Sequence, residues 1–407
     1  MTTILPGNAP GTGRPPSSRA TQGRGTRTDE VPETHRGALL PGPDHSSGRS
    51  GGPERQGPLR YVLRRVLRPL LRHPGSRRQV LVGVGLVCLV LVLLVASVMV
   101  GEYVLPARDV VRTLLGAGDP ADRFVILGLR APRAATAIVV GFALGAAGAI
   151  TQSVARNPLA SPDILGVTAG ATAAAVGAIV LAGTGALSGF LVTAGLPVVA
   201  VLGGLVATAL VCLLAWRGGI EGYRLVLVGL GVNAGASAIT SWMLVRAELP
   251  DLNAALIWMT GSLNRASFEI VGPVAAVVAV TVAVSALSTR WLAILRFDSR
   301  VIVGLGVRRS AAQLLQIALA VVLAAAATAA AGPVPFVAFV APQIAWRALA
   351  TQGPPPLGAG LVGACVVLAA DLGARSLPVD LPVGVVTSAI GAPFLLWLLL
   401  RESKEVR

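Results

Sequence analysis

The chain has 407 residues, 54% hydrophobic, 13% charged and 4% aromatic, with a formal net charge of +15. Soluble domains carry about 25% charge, so this composition excludes an ordinary soluble domain. Recurring apolar runs of about 20 residues, each enough to cross the hydrocarbon core, specify a polytopic membrane protein.

Residues 1–57 are rich in Gly, Pro, Ser, Thr and Arg and show no apolar period. Such a segment cannot bury enough surface to offset its ordering entropy, and residues 1–78 are expected to form a disordered cytoplasmic tail. Near its end, Leu59, Val62, Leu63, Val66, Leu67 and Leu70 fall at helical spacing, with Arg60, Arg64, Arg68 and Arg72 on another face. Two readings of 59–72 stand side by side: a basic amphipathic helix at the headgroups, bent by Pro69, and a charged stop before the first span. The first apolar run comes too late and is too long for a cleaved signal peptide.

The expected fold is all-α, with ten transmembrane spans inside residues 79–402. They fall at 80–100, 133–154, 162–182, 190–215, 225–245, 269–290, 311–331, from after Phe336 to near Ala350, 357–376 and 384–400. Asp109, Asp119 and Asp122 lie in the loop after the first span. The stretch from Arg246 to Ser267 is too broken to span and too apolar to be free, which predicts a short helix at the outer surface. The loops at 217–224, 290–309, 347–353 and 401–407 are arginine-rich, and the N-terminal tail holds fourteen arginines. By the positive-inside rule both termini are cytoplasmic, 403–407 forming a short C-terminal tail. The arginines leading to Arg130 are the local exception. Residues 141–166 and 324–346 are both small-residue spans entering a proline-broken turn, and they run in opposite directions. That pattern fits an inverted repeat of spans 2–5 and 7–10.

Because the positive charge lies mainly in the tail and short loops, it sets orientation, and no nucleic-acid partner is expected. Cys88, Cys212 and Cys365 sit in apolar runs and read as buried packing residues. His35, His45 and His73 all lie in the tail, so neither a metal site nor a membrane proton relay is expected. The only lysine is Lys404, followed by Glu405. A phosphate-binding G-x-x-x-x-G-K-[ST] loop therefore has no place here, and any ATP must be bound by another subunit. Neither an enzyme nor a bound cofactor is expected.

Several polar positions stand out against the apolar background. Arg130 and Arg133 flank Pro132 at the outer end of the second span, and Arg375 lies at the outer end of the ninth. They suit either interface anchoring or a docking surface for an acidic partner. Asp371 and Arg375 are four apart on one helix, so an intrahelical pair is available. Intramembrane carboxylates are otherwise scarce, which argues against a proton- or sodium-driven carrier. Gln152 is the lone amide of the second span, which leaves through the turn Arg156-Asn157-Pro158-Leu159-Ala160-Ser161-Pro162-Asp163. The 296–309 segment mixes charge with Val301, Ile302, Val303 and Leu305 and with Gly304 and Gly306. It suggests a short cytoplasmic helix whose exposed apolar residues need a covering partner. Prolines at 158, 162, 333, 335, 342, 382 and 393 mark breaks, tolerated at membrane depth only where protein or a water-filled cavity satisfies the backbone.

These stretches carry a resemblance. LRAPRAATAIVVGFALGAAGAITQSVARNPLASPDILGVTAG, GLGV at 304–307, AGPVPFVAFVAPQIAWRAL at 331–349 and AADLGARSLPVDLPVGVVTSAIGAPFLLWLLLR at 369–401 resemble the FecCD-type permeases of ABC importers for ferric siderophores, haem and cobalamin. The resemblance covers about 80–402. It implies that Arg130, Arg133 and Arg375 receive glutamates of an extracytoplasmic substrate-binding protein or lipoprotein. It implies that Asp298, Val301, Ile302, Val303, Gly304, Leu305, Gly306 and Val307 form the element coupled to an ATPase dimer. The fifth and tenth spans would line the pathway, and a second permease chain, identical or paralogous, would complete it. The motif positions carried with these are Gln152, Asn157, Pro158, Asp163, Pro342, Gln343, Asp371, Asp380 and Pro382. Two depart from the common pattern: Pro342-Gln343 replaces Pro-His, and Asp380-Leu381-Pro382-Val383-Gly384 replaces Glu-Leu-Pro-Val-Gly. The implied function is ATP-driven uptake of ferric siderophores across the cytoplasmic membrane, with haem or cobalamin import as the alternative and an ion-coupled carrier as the rival from another class.

Overall fold

The computed structural model describes residues 74–101, 106–183, 195–217, 222–295, 297, 302, 309–377 and 381–405. The tail with its 59–72 segment, Asp298, Val301, Val303 to Val307 and Asp380 lie outside the described residues.

Among the described residues every regular element is helical. The order is α1 (Pro74–Met99), α2 (Ala107–Leu114), α3 (Pro120–Arg123), a π-helical turn (Phe124–Arg130) that runs directly into α4 (Ala131–Ala155), a 3-10 turn (Pro162–Leu165), α5 (Val167–Gly183), α6 (Leu196–Ala215), α7 (Gly222–Arg246), α8 (Leu249–Met259), α9 (Phe268–Leu287), α10 (Thr289–Leu295), α11 (Arg309–Ala331), α12 (Val337–Leu349), α13 (Pro356–Arg375) and α14 (Val383–Glu405). Seven are long and apolar enough to cross a membrane: α1, α4 with its lead-in from Pro120, α6, α7, α9, α11 and α13. Three shorter apolar helices, α5, α12 and Val383–Leu398 of α14, fall where the sequence places spans three, eight and ten. The chain is an all-α polytopic membrane protein.

Two boundaries differ from the sequence expectation. The second span was expected to start at 133, where Pro132 reads as a first-turn residue; the helix instead reaches back to Pro120 through the π turn. Pro132 has no N–H to give the preceding turn, and the wider π winding absorbs the missing bond. The eighth span keeps its expected limits: left-handed residues bound α12, Phe336 (φ 66°) before and Ala350 (φ 47°) after. α14 continues to Glu405, into the stretch expected to be a tail. The expected short helix between spans five and six is α8, which opens Leu249-Pro250 with the proline in its first turn.

α4 is the centre of the bundle. Eighteen of its 25 residues are buried, and it packs against α13, α11, α12, α9 and α1. Half of those buried residues are Ala or Gly, so neighbours approach to backbone distance. A Cβ at Gly141 would overlap the carbonyl of Gly363 on α13, and one at Gly148 would overlap the carbonyl of Ala338 on α12. α5 and α6 pair separately, and α7 lies on them. α1 sits at the margin with Leu81, Val84, Leu91, Val92 and Val95 exposed. Cys88 shares that exposed face, Cys212 is intermediate and Cys365 is buried, so the packing reading holds for Cys365 and fails for Cys88. A lipid-facing thiol needs no neighbour.

Candidate functional site

At one end of the bundle the last turn of α1 meets the first turn of α4 and the last turn of α13. α4 brings Arg133, the π turn brings Arg130, and α13 brings Asp371 and Arg375. Asp371 is fully buried. Its Oδ1 accepts a hydrogen bond from Arg133 Nε at 2.8 Å. Its Oδ2 lies 3.0 Å from Arg375 Nη2, four residues on, an ion pair without hydrogen-bond alignment. The expected intrahelical pair is present, and it is half of a larger cluster.

The arginines also close the end of α1. A helix leaves its last four carbonyls without intrahelical partners. Arg130 Nη1 donates to Val98 O at 2.9 Å and Met99 O at 3.0 Å. Arg375 donates from Nη1 to Val100 O at 3.2 Å and from Nη2 to Ser97 Oγ at 2.7 Å. The side chains of Arg133 and Arg375 are 17% and 11% exposed, and Arg130 is 7% exposed. The three arginines therefore stand together, with Arg133 the most open.

At the opposite end α4 finishes in Arg156, left-handed at φ 51°. The Asn157 side chain accepts from Leu159 N at 2.8 Å and closes the turn. Gln343 on α12 donates from Nε2 to Gln152 Oε1 at 2.9 Å and to Pro158 O at 3.1 Å. Gln152 in turn donates to Phe339 O at 3.2 Å. Both amides are buried, so the structure brings together Gln152, Pro158, Pro342 and Gln343, which are far apart in sequence. A glutamine at 343 can bridge two acceptors with one amide. Asp163 accepts from Thr168 Oγ1 and Ser161 Oγ. Pro382 precedes α14 and accepts from Val385 N at 3.0 Å.

Of the segment expected to meet an ATPase, only Ile302 is described. It is fully buried in the main core with Leu292 and Leu295, so this residue is covered by its own chain. Sequence reasoning passed over four contributors. Ser97 and Arg78 gave no signal in an apolar or basic run. Trp346, whose Nε1 donates to Thr351 O at 2.7 Å, was quoted only inside a motif. Asn233, the sole amide of the fifth span, was a signal that could have been read.

A bundle of small-residue spans with polar side chains gathered at its two ends has the architecture of a transport permease. The model of the FecCD transport family matches residues 89–401, and the chain belongs to that family. It is 39% identical over 307 residues to the ferric enterobactin transport system permease protein FepG of Escherichia coli (strain K12), covering 75% of this chain and 91% of that one. It is 39% identical over 318 residues to the achromobactin transport system permease protein CbrC of Dickeya dadantii (strain 3937), covering 77% and 89%. A solved metal-chelate type ABC transporter in an inward-facing conformation superposes with a TM-score of 0.68 at 27% identity, over 79% of this chain and 99% of that one.

Proposed function

We propose that the chain is the permease subunit of an ABC importer that carries ferric siderophore complexes across the cytoplasmic membrane. The observation that carries this reading is the likeness to two siderophore permeases along nearly their whole length. The chain crosses ten times with both termini cytoplasmic, binds no ATP itself and works with an ATPase dimer, a substrate-binding protein and a second permease chain. Positive-inside asymmetry supports the orientation, and a single lysine at 404 supports the need for a separate ATPase.

Arg133 and Arg375 on one buried carboxylate, with Arg130 on the carbonyls that end α1, give this end a net positive charge suited to acidic groups of a substrate-loaded partner. The 298–307 segment, which follows α10, is the element assigned to the ATPase. Deleting the gene should abolish uptake of radioiron-labelled ferric siderophores, as should deleting the ATPase; uptake unchanged in either strain overturns the reading. Arg133→Gln tests docking with least damage, because Arg133 does not cap α1. It should raise the half-saturating concentration of binding protein in ATPase stimulation by roughly tenfold or more, the value of a charged hydrogen bond. A wild-type curve removes Arg133 from the surface.

A further inference from the structure

The turn between α4 and α5 is where separated parts of the chain meet. Arg156 Nε donates to Leu295 O at 2.9 Å. Leu295 ends α10 and is the last helical residue before the 298–308 stretch. Two residues on, Pro158 O receives Gln343 of α12 at 3.1 Å. Further along, Asp163 O receives Asn233 Nδ2 of α7 at 2.8 Å. The Asp163 carboxylate, bonded to Thr168, fixes the same turn to the start of α5.

α7 rests on this turn with its backbone. Gly222, Leu225, Gly229 and Asn233 are spaced to share one helix face. A Cβ at Gly229 would overlap Ile164 O, and one at Gly222 would come within 3.1 Å of Ala155 O. Elsewhere α7 is lightly held: its buried residues are Leu225, Gly229 and Thr240. Leu227, Leu230, Trp242 and Val245 are exposed. Asn233 Oδ1 is buried without a hydrogen-bond partner. An orphaned acceptor is unfavourable, so the amide contributes here through its donor.

We propose that the 156–163 turn is a relay. Movement of α10 reaches the turn through Arg156, then passes to α7 through Asn233 and to α12 through Gln343. Arg156, Asn233 and Gln343 are positioning residues for the conformational cycle. The relay rests on the reading that a partner ATPase drives that cycle.

The test uses the complete complex in proteoliposomes, with the radioiron-labelled siderophore that the wild-type strain takes up, and reads ATP hydrolysed per iron transported. Asn233→Leu keeps the branched skeleton of the side chain, with some added bulk, and removes the donor; Arg156→Gln breaks the far link. Each should raise the ratio roughly three- to tenfold, the worth of one hydrogen bond. The double variant should be no worse than the poorer single, because members of one relay are non-additive. A wild-type ratio in an assembled Asn233→Leu or Arg156→Gln complex, or multiplying effects in the double variant, overturns the relay. If Asn233→Leu does not assemble, Arg156→Gln with Gln343→Leu carries the same comparison. Failure of the wild-type complex to couple uptake to ATP would instead overturn the function on which the relay rests.

Discussion

At the scale of single residues, the recurring device is an arginine from one helix closing the open end of another. Arg130 and Arg375 take the last carbonyls of α1. Arg78 donates to Ala348 O and Arg347 O at the end of α12, both at 3.1 Å. Arg156 takes the last carbonyl of α10. Helix C-termini carry partial negative charge, and inside a membrane an unpaired carbonyl has no water to turn to. The guanidinium, with five donors in a fixed fork, serves both needs. Asp371 then keeps Arg375 and its neighbour Arg133 from being buried together unneutralised. Asp371→Ala should destabilise the detergent-solubilised protein by about 3–5 kcal/mol, the range for breaking a buried pair, with Asp371→Asn milder. An unshifted melting temperature in Asp371→Ala would mean that water neutralises the arginines. The Asp371–Arg375 half was legible in sequence because four-residue spacing fixes it. The Arg133 half was not, since it exists only once α4 lies against α13.

At the scale of elements, the seams are made by residues that are missing a side chain. Gly145→Leu should prevent α4 and α13 from closing, because even a Cβ there would overlap Ala359 O; loss of the folded monomer peak in size-exclusion chromatography checks it. Ala350 offers the opposite case. It ends α12 in left-handed backbone, and the residue is exposed. Ala350→Gly should stabilise by up to about 1 kcal/mol by removing the Cβ penalty, read as a higher melting temperature. Apolar run length located the long helices but not α2, α3 or α10, and α8 was legible from its broken apolar pattern. The π turn was hidden, since Pro132 carries the same signal whether a helix starts there or widens. The limits of α12 were legible from GPVPF and the polar turn after Ala350, but the left-handed backbone at Phe336 and Ala350 was not, because these residues do not announce positive φ.

At the scale of the whole molecule, the two polar clusters lie at opposite ends of α4, some 25 residues of helix apart. Impermeant thiol reagents test the ten-span arrangement in a chain whose own cysteines are replaced. Asn264→Cys and Gln352→Cys are separated by α9, α11 and α12, so they should label from opposite faces. Labelling from one face would mean that α12, with only 13 residues, does not cross. The family resemblance made the general architecture and both clusters readable as motifs. How they join was not readable, because Gln152 and Gln343 are 191 positions apart.

α1 also has a history in synthesis. It precedes the other described spans in the sequence, yet the residues that grip it come later: Arg130 soon after, the carbonyls held by Arg78 at 347–348, and then Arg375. Its outward side is hydrocarbon-ready, so it can wait in the bilayer unclasped. A product truncated before residue 375 would keep its first helix inserted but only half fastened, and quality-control proteases would meet it in that state.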